Sequence, residues 1–213
     1  MQCQQFGMDL IVRQEVNVKL IAIVGSAVRS GKTRKAVECA VKAATTFERT
    51  LATEIVDLGE YRVSILDGRP VSEYGDDTST VLEIMKSGTM FLIASPIYRG
   101  TYTGALKNLL DHISLEVLEG KVVGLVATGA SPHHYLAIDH QFRGVLAWFN
   151  AYVLPGSVYV ENTVYTDGEI VDESALANLH ELGRSLVSVS KALGDVPAKP
   201  DCLTRQMMGA RRG

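Results

Sequence analysis

The sequence predicts an α/β fold: an open, doubly wound domain with a five-stranded parallel sheet and helices on both faces. Three observations predict it. Short runs that are apolar at nearly every position read as strands covered on both sides. Segments with apolar residues at helical spacing lie between them. Run and helix then alternate through the middle of the chain, as a sheet built from right-handed crossovers requires.

The first run is Leu20-Ile21-Ala22-Ile23-Val24, followed by Ala36, Val37, Ala40, Val41 and Ala44 on one narrow helical face, small enough for close approach to a sheet. The second, Ile55-Val56-Asp57-Leu58, leads into a polar connection over 59–77 with turn signals at Asp67-Gly68-Arg69-Pro70 and Gly75-Asp76-Asp77. The third, Met90-Phe91-Leu92-Ile93-Ala94, precedes Leu106, Leu109, Leu110 and Ile113, spaced i, i+3, i+4, i+7. Val122-Val123-Gly124-Leu125-Val126 is the fourth, and Ile138, Phe142, Val145, Leu146 and Phe149 form the stripe after it. Tyr152-Val153-Leu154 is the fifth, and Leu179, Leu182, Leu186, Val189 and Leu193 form the last stripe. Every stripe is read as core. The domain is expected over 19–193, with an N-terminal extension over 1–18 and a mobile, basic-ended tail over 194–213.

With 46% hydrophobic and 21% charged residues, the 213-residue chain excludes collagen-like, low-complexity and wholly disordered readings. A net charge of -3 supplies no global positive field, so neither nucleic acid nor an anionic membrane is the expected partner. Cys3, Cys39 and Cys202 form no Cys-x-x-Cys pair, which argues against a zinc site and a disulfide framework. The start of the chain lacks signal-peptide features, and no run approaches the ~20 apolar residues of a membrane helix. A cytoplasmic location is expected.

Ligands of such sheets bind beyond the carboxyl ends of the strands, so the loops after the runs carry the chemistry. The first loop, Gly25-Ser26-Ala27-Val28-Arg29-Ser30-Gly31-Lys32-Thr33, opens a helix with hydroxyls, backbone amides and cations, a combination suited to phosphate. It is nearly a Walker A loop, but Ser26 stands where the first Gly is required. The third strand ends in Ser95-Pro96, without the Asp that would hold magnesium; Asp57 is the alternative. The loop from Ser95 to Lys107 offers an aromatic, amides and a cation to a flat ring, and Ala127-Thr128-Gly129-Ala130-Ser131-Pro132 adds a small hydroxyl-rich turn. Together the three loops suit a phosphorylated, planar, hydrogen-bonding ligand, flavin mononucleotide (FMN).

On these residues the chain resembles the NAD(P)H-dependent FMN reductases of flavodoxin-like fold, especially those supplying two-component alkanesulfonate monooxygenases. The first loop is similar to a Gly-Ser-x-x-Arg-x-Ser-x-Thr pattern at Gly25, Ser26, Arg29 and Thr33. The second matches Pro-[Ile/Val]-Tyr-[Lys/Arg]-x-x-Tyr-[Ser/Thr]-Gly from Pro96 to Gly104, followed by Leu106, Lys107, Leu110 and Asp111. The third resembles Thr-Gly-Gly-[Ser/Thr] at Thr128, Gly129 and Ser131. The chain departs from these patterns at Gly31, where the family has a phosphate-binding Ser, and at Ala130, where it has a second Gly.

The resemblance implies a three-layer flavodoxin-like sandwich, FMN as cofactor and NADPH or NADH as co-substrate. Ser26, Arg29, Ser30, Lys32 and Thr33 are then expected at the phosphate. Pro96, Ile97, Tyr98 and Arg99 are expected beside the ring and ribityl chain. Thr128, Gly129, Ala130 and Ser131 are expected to offer amides to the pyrimidine edge. No protein acid or base is expected, because hydride transfer needs orientation. The resemblance further implies a homodimer or homotetramer, and a flavin-dependent monooxygenase or a small acceptor as consumer. It also allows a π-type bulge at Asp139-His140-Gln141-Phe142-Arg143, where a surface histidine on a regular helix is the other reading. His133 and His134 have no ligand partner at metal spacing and read as helix-capping residues. No Gly-x-Ser-x-Gly marks a hydrolase. An FMN-binding electron carrier without fast NAD(P)H oxidation and a P-loop nucleotide triphosphatase are the alternatives.

Overall fold

The computed structural model describes residues 18–194, so most of the expected N-terminal extension and C-terminal tail, with Cys3 and Cys202, lie outside the described residues. In chain order the main elements are β1 (Lys19–Val24), α1 (Lys32–Phe47), β2 (Ala52–Asp57), α2 (Thr78–Lys86), β3 (Met90–Pro96), α3 (Gly104–His112), α4 (Leu115–Leu118) and β4 (Val122–Gly129). A π-helical turn (Ile138–Phe142) runs into α5 (Arg143–Trp148), followed by β5 (Tyr152–Val153), β6 (Val158–Glu161), β7 (Tyr165–Thr166), β8 (Glu169–Ile170) and α6 (Glu173–Leu193).

The sheet order is β2-β1-β3-β4-β5, every pairing parallel, with β6 also on β4. The fifth position is thus shared: β5 pairs with the start of β4 at Val122 and Val123, and β6 with its end from Val126 to Gly129. Leu154-Pro155-Gly156-Ser157 separates the two, and Pro155 has no amide to continue a ladder.

Alternate side chains of each strand build two cores. Ile21, Ile23, Phe91, Ile93, Val123 and Leu125 face α2, α3 and the π turn, where Val81, Met85, Leu106, Leu109, Ile138 and Phe142 meet them. Leu20, Ala22, Val24, Met90, Leu92 and Val126 face α1 and α6. The small-residue face of α1 does approach closely, and its closest neighbour is α6. A Cβ built on Gly183 would run into the Ala40 carbonyl oxygen, with the Ala40 carbonyl carbon and the Ala44 nitrogen both at 3.1 Å.

The long polar connection is stapled by its own side chains. Asp76 accepts from the Ser64 amide at 2.9 Å and from the Thr78 hydroxyl at 2.6 Å, and Asp77 accepts from the Arg62 amide at 2.8 Å. The Ser64 hydroxyl donates to Asp76 as well, at 2.5 Å, and the two hydroxyl bonds, from Ser64 first and Thr78 second, lower the Asp76 carboxyl to about 2.

Candidate functional site

Because the strands are parallel and in register, Val24, Asp57, Ala94 and Val126 lie in one row. The chain order reverses between β1 and β3, which makes the crevice beyond these two strands the switch point of the sheet. The loops after β1, β3 and β4 surround it.

Gly25 begins the first loop and donates its amide to Ala94 O at 2.7 Å. It must be glycine, since a Cβ there would sit 2.9 Å from both Ala94 O and Leu106 Cβ. Ser26 is buried, and its hydroxyl accepts from the Val28 amide at 3.1 Å, closing a tight turn. Ser30 lies in the left-handed region at φ 48°, a conformation that strains a non-glycine residue by about 1 kcal/mol. The turn delivers the chain to Gly31, the extended residue that opens α1 with no side chain capping it. By contrast, α3 is capped by Thr103 and α6 by Asp172. The first-turn amides of α1 therefore face the switch point uncapped, where helix polarity favours an anion. Arg29, Ser30 and Lys32 are exposed around them.

Each cation is steered. Arg29 donates from Nε to Gly59 O at 3.1 Å. Lys32 Nζ donates to Asn162 O at 3.2 Å and lies 5.2 Å from the centroid of the Tyr165 ring, whose hydroxyl donates to Lys32 O at 2.9 Å. Burial, with Cys39 as a second influence, holds the Tyr165 phenol well above its ordinary value, so it remains a donor at neutral pH. Thr33 is buried, and its hydroxyl pairs with that of Thr128 at 2.7 Å, joining the first loop to the third.

The second loop is rigid at its base and exposed at its tip. Thr103 caps α3 by accepting from the Leu106 amide at 3.1 Å, while its hydroxyl donates to Gly25 O. Its own amide donates to the buried Ser95 hydroxyl at 3.1 Å. Ile97 is buried in the core and donates its amide to Thr128 O at 2.8 Å, so only its backbone borders the edge. Tyr98 and Thr101 pair as a miniature hairpin around Arg99 and Gly100, at φ 55° and 83°, the two positive values a type I′ turn requires. Tyr98 is 54% exposed and Arg99 is exposed.

At the third loop, Gly129 is covered by Tyr159: a Cβ would meet its hydroxyl oxygen and lie 3.0 Å from Cζ. The Tyr159 hydroxyl donates to Ser131 O at 2.7 Å. Ala130 is exposed, and the Ser131 hydroxyl is engaged with His133 Nδ1 at 2.6 Å. The π turn at Ile138–Phe142 lies beside the second loop, with the Phe142 ring edge-on to Tyr102 at 5.1 Å. Asp139 and Arg143 pair at 2.7 Å across it, and Arg143 also donates to the carbonyls of Leu154 and Pro155 where the fifth strand breaks. His140 is exposed.

The structure therefore brings all thirteen expected site residues onto one edge, in two layers. Ser26, Thr33, Ile97, Thr128 and Gly129 are buried and brace the loops. Arg29, Ser30, Lys32, Tyr98, Arg99 and Ala130 are exposed on it, with Pro96 and Ser131 half-buried between. Sequence reasoning missed Gly59, Tyr159 and Asn162, and it placed Ser95 and Thr103 in the second loop without assigning them a bracing role. Only Thr103 carried a local signal, a hydroxyl residue directly before an apolar helical stripe.

Asp57 is fully buried and engaged with Arg34 at 3.0 Å and the Gly59 amide at 2.9 Å, which removes it from magnesium binding in a nucleotide triphosphatase. A concavity of about 700 Å³ lies between α1, α6 and β8, and Lys42, Phe47, His180 and Arg184 are among the residues lining it. Cys39 also lines it; burial pushes its thiol up, with Lys42 pulling the other way.

A family model described as NADPH-dependent FMN reductase matches residues 18–164. The NAD(P)H-dependent FAD/FMN reductase of Geobacillus thermodenitrificans is 36% identical over 177 residues, 83% of this chain and 95% of the relative. The NADH-dependent FMN reductase SfnF of Pseudomonas fluorescens is 29% identical over 162 residues, 76% of this chain and 86% of the relative. Among solved structures, the apo form of NADH:FMN oxidoreductase (EMOB) is similar with a TM-score of 0.65 at 23% identity, over 84% of this chain and 92% of that one. An archaeal flavodoxin is similar with a TM-score of 0.58 at 10% identity, over 82% and 99%. Both share the fold.

Proposed function

This chain belongs to the NADPH-dependent FMN reductase family, oxidoreductases working with FMN and a nicotinamide nucleotide, and from that premise we propose that it binds FMN in the crevice between the loops after β1, β3 and β4. The observation that carries this reading is the uncapped start of α1 at the switch point, with Arg29, Ser30 and Lys32 exposed around it. The donor set fits the group: an N-terminal helical turn and cations for a phosphate, an exposed Tyr98 beside them for a ring, and a glycine-bearing turn at Gly129 for a polar ring edge.

When bound, FMN supplies the ring that accepts hydride from the nicotinamide. The protein's part is binding and orientation. Arg29, Ser30, Lys32 and the α1 amides hold the phosphate, while Ser26 and Thr33 fix the loop that presents them. Pro96 and Ile97 border the ribityl chain and ring with backbone, and Tyr98 and Arg99 with side chains. The amides of Gly129, Ala130 and Ser131 meet the pyrimidine edge, and Thr128 holds their turn against Thr33 and Ile97. No side chain needs to move a proton for the hydride step.

The chain works as a homodimer or homotetramer in which a neighbour covers exposed Tyr135, Leu136, Trp148 and Tyr152. Its product, reduced flavin, passes to a flavin-dependent monooxygenase or a small acceptor. No helix among the described residues is long and apolar enough to cross a membrane.

Anaerobic absorbance of the protein with FMN, recorded after adding NADPH or NADH, tests the reading. The expected result is a perturbed flavin spectrum that bleaches much faster than free FMN. A perturbed spectrum that persists with both nucleotides identifies an electron carrier instead, and an unperturbed one removes FMN from the account.

A further inference from the structure

Asp57 closes β2 on the rim of the crevice and belongs to none of the three loops. Its carboxylate is fully buried, and both oxygens are engaged. Oδ2 accepts from Arg34 Nη1 at 3.0 Å, on the opening turn of α1. Oδ1 accepts from the Gly59 amide at 2.9 Å, and the Asp57 carbonyl accepts from the amides of Glu60 and Tyr61, at 2.9 and 3.0 Å. The turn after β2 is thereby fixed. Gly59 then presents its carbonyl to Arg29 Nε and touches the loop backbone so closely that a Cβ would lie 2.9 Å from Arg29 N and 3.0 Å from Val28 C.

We infer that Asp57 is a positioning residue for Arg29, acting through Gly59, and so sets how strongly the protein distinguishes a flavin phosphate from an unphosphorylated flavin. The inference rests on the reading of the first loop as the phosphate site. A long, exposed arginine has many rotamers, and ordering it on binding opposes affinity. Fixing Nε on Gly59 O removes most of that freedom in advance and leaves the two Nη groups of the planar fork for phosphate oxygens. A tie between α1 and β2 needs only the Arg34 bond. The bond to Gly59 is what reaches the loop.

The test is equilibrium binding of FMN and of riboflavin, followed by quenching of flavin fluorescence, in wild type, Arg29→Gln, Asp57→Ala and the double variant. Alanine leaves the Gly59 amide without its side-chain acceptor, which asparagine would keep. The readout is the ratio of the riboflavin to the FMN dissociation constant. General loosening of the fold weakens both flavins together and leaves that ratio alone. Arg29→Gln is expected to lower it about tenfold, and Asp57→Ala about threefold. The double variant is expected to match Arg29→Gln, because a residue acting through another has no separate contribution once that one is gone. A wild-type ratio in Asp57→Ala, or effects that add fully in the double variant, overturns the inference. A wild-type ratio in Arg29→Gln overturns the phosphate-site reading itself, and this inference with it. Gly59→Ala, which disturbs the same contact from the loop side, is expected to lower the ratio too, and keeps the question open to measurement should Asp57→Ala fail to fold.

Discussion

Replacing Thr103 with Val deletes two hydrogen bonds while nearly preserving side-chain shape. The buried hydroxyl caps α3 through the Leu106 amide and donates to Gly25 O, where β1 ends and the first loop begins. Loss of an N-cap costs about 1 kcal/mol. Leaving a buried carbonyl without its donor adds roughly 1–3 kcal/mol. Thr103→Val is therefore expected to destabilise the fold by roughly 2–4 kcal/mol and, by freeing Gly25, to weaken FMN binding. Thr103→Ser keeps the hydroxyl and should lie within about 1 kcal/mol of wild type. Urea unfolding gives the stabilities, the midpoint shifting while the slope with denaturant is unchanged. A Val variant within about 1 kcal/mol of wild type, or a Ser variant as unstable as Val, refutes the reasoning.

Other perturbations test separate parts of the account. Gly183→Ala should destabilise: helix propensity favours Ala by about 1 kcal/mol, but overpacking against the Ala40 carbonyl costs about 1–3 kcal/mol, so a raised melting temperature would contradict the α1–α6 contact. Gly31→Ser fits, because a Cβ there meets Val28 O only at 3.4 Å, and the new hydroxyl can donate to a phosphate at the opening of α1, so tighter FMN binding is expected; weaker binding would argue against a phosphate at this turn. The Asp76 carboxyl is lowered from 3.8 to about 2, so its hydrogen bonds contribute stability that is full above the unfolded value and lost as pH falls through the folded one. Asp76→Asn should accordingly flatten the fall in stability between pH 3.8 and about 2, and an unchanged acid limb would contradict the stapled connection.

Much of the fold was legible because burial on both faces leaves a plain mark. β1, β3 and β4 are apolar along their buried lengths as far as Ser95 and Thr128, and the buried residues of α1 and α3 are those of the predicted stripes with Thr33 added; in α6 Leu179, Leu182 and Leu186 are buried as predicted, but Gly183 and Val187 join them while Val189 and Leu193 are half-buried. The divided fifth strand was not, since β5 has two residues and β6 alternates buried with half-buried positions. The β7–β8 hairpin was signalled by Asp167-Gly168, the pair with positive φ that its turn needs, but the strands beside it are too short to show periodicity. At the site, the loops were legible as compositions. Their bracing was not: Thr33 meets Thr128 across 95 residues of sequence, Thr103 meets Gly25 across 78, and Tyr159 covers a glycine from a strand the sequence does not announce. Such ties follow from the sheet order, which no single window of sequence contains.

The most direct test of the central claim, that FMN lies at the carboxyl edge with its phosphate on the opening of α1, is amide NMR of the labelled protein titrated with FMN. The account predicts shifts concentrated at Arg29–Thr33, Tyr98–Thr101 and Thr128–Ser131. Shifts concentrated instead at Lys42, Phe47, His180 and Arg184, in the groove between α1 and α6, with the three loops unmoved, would contradict it.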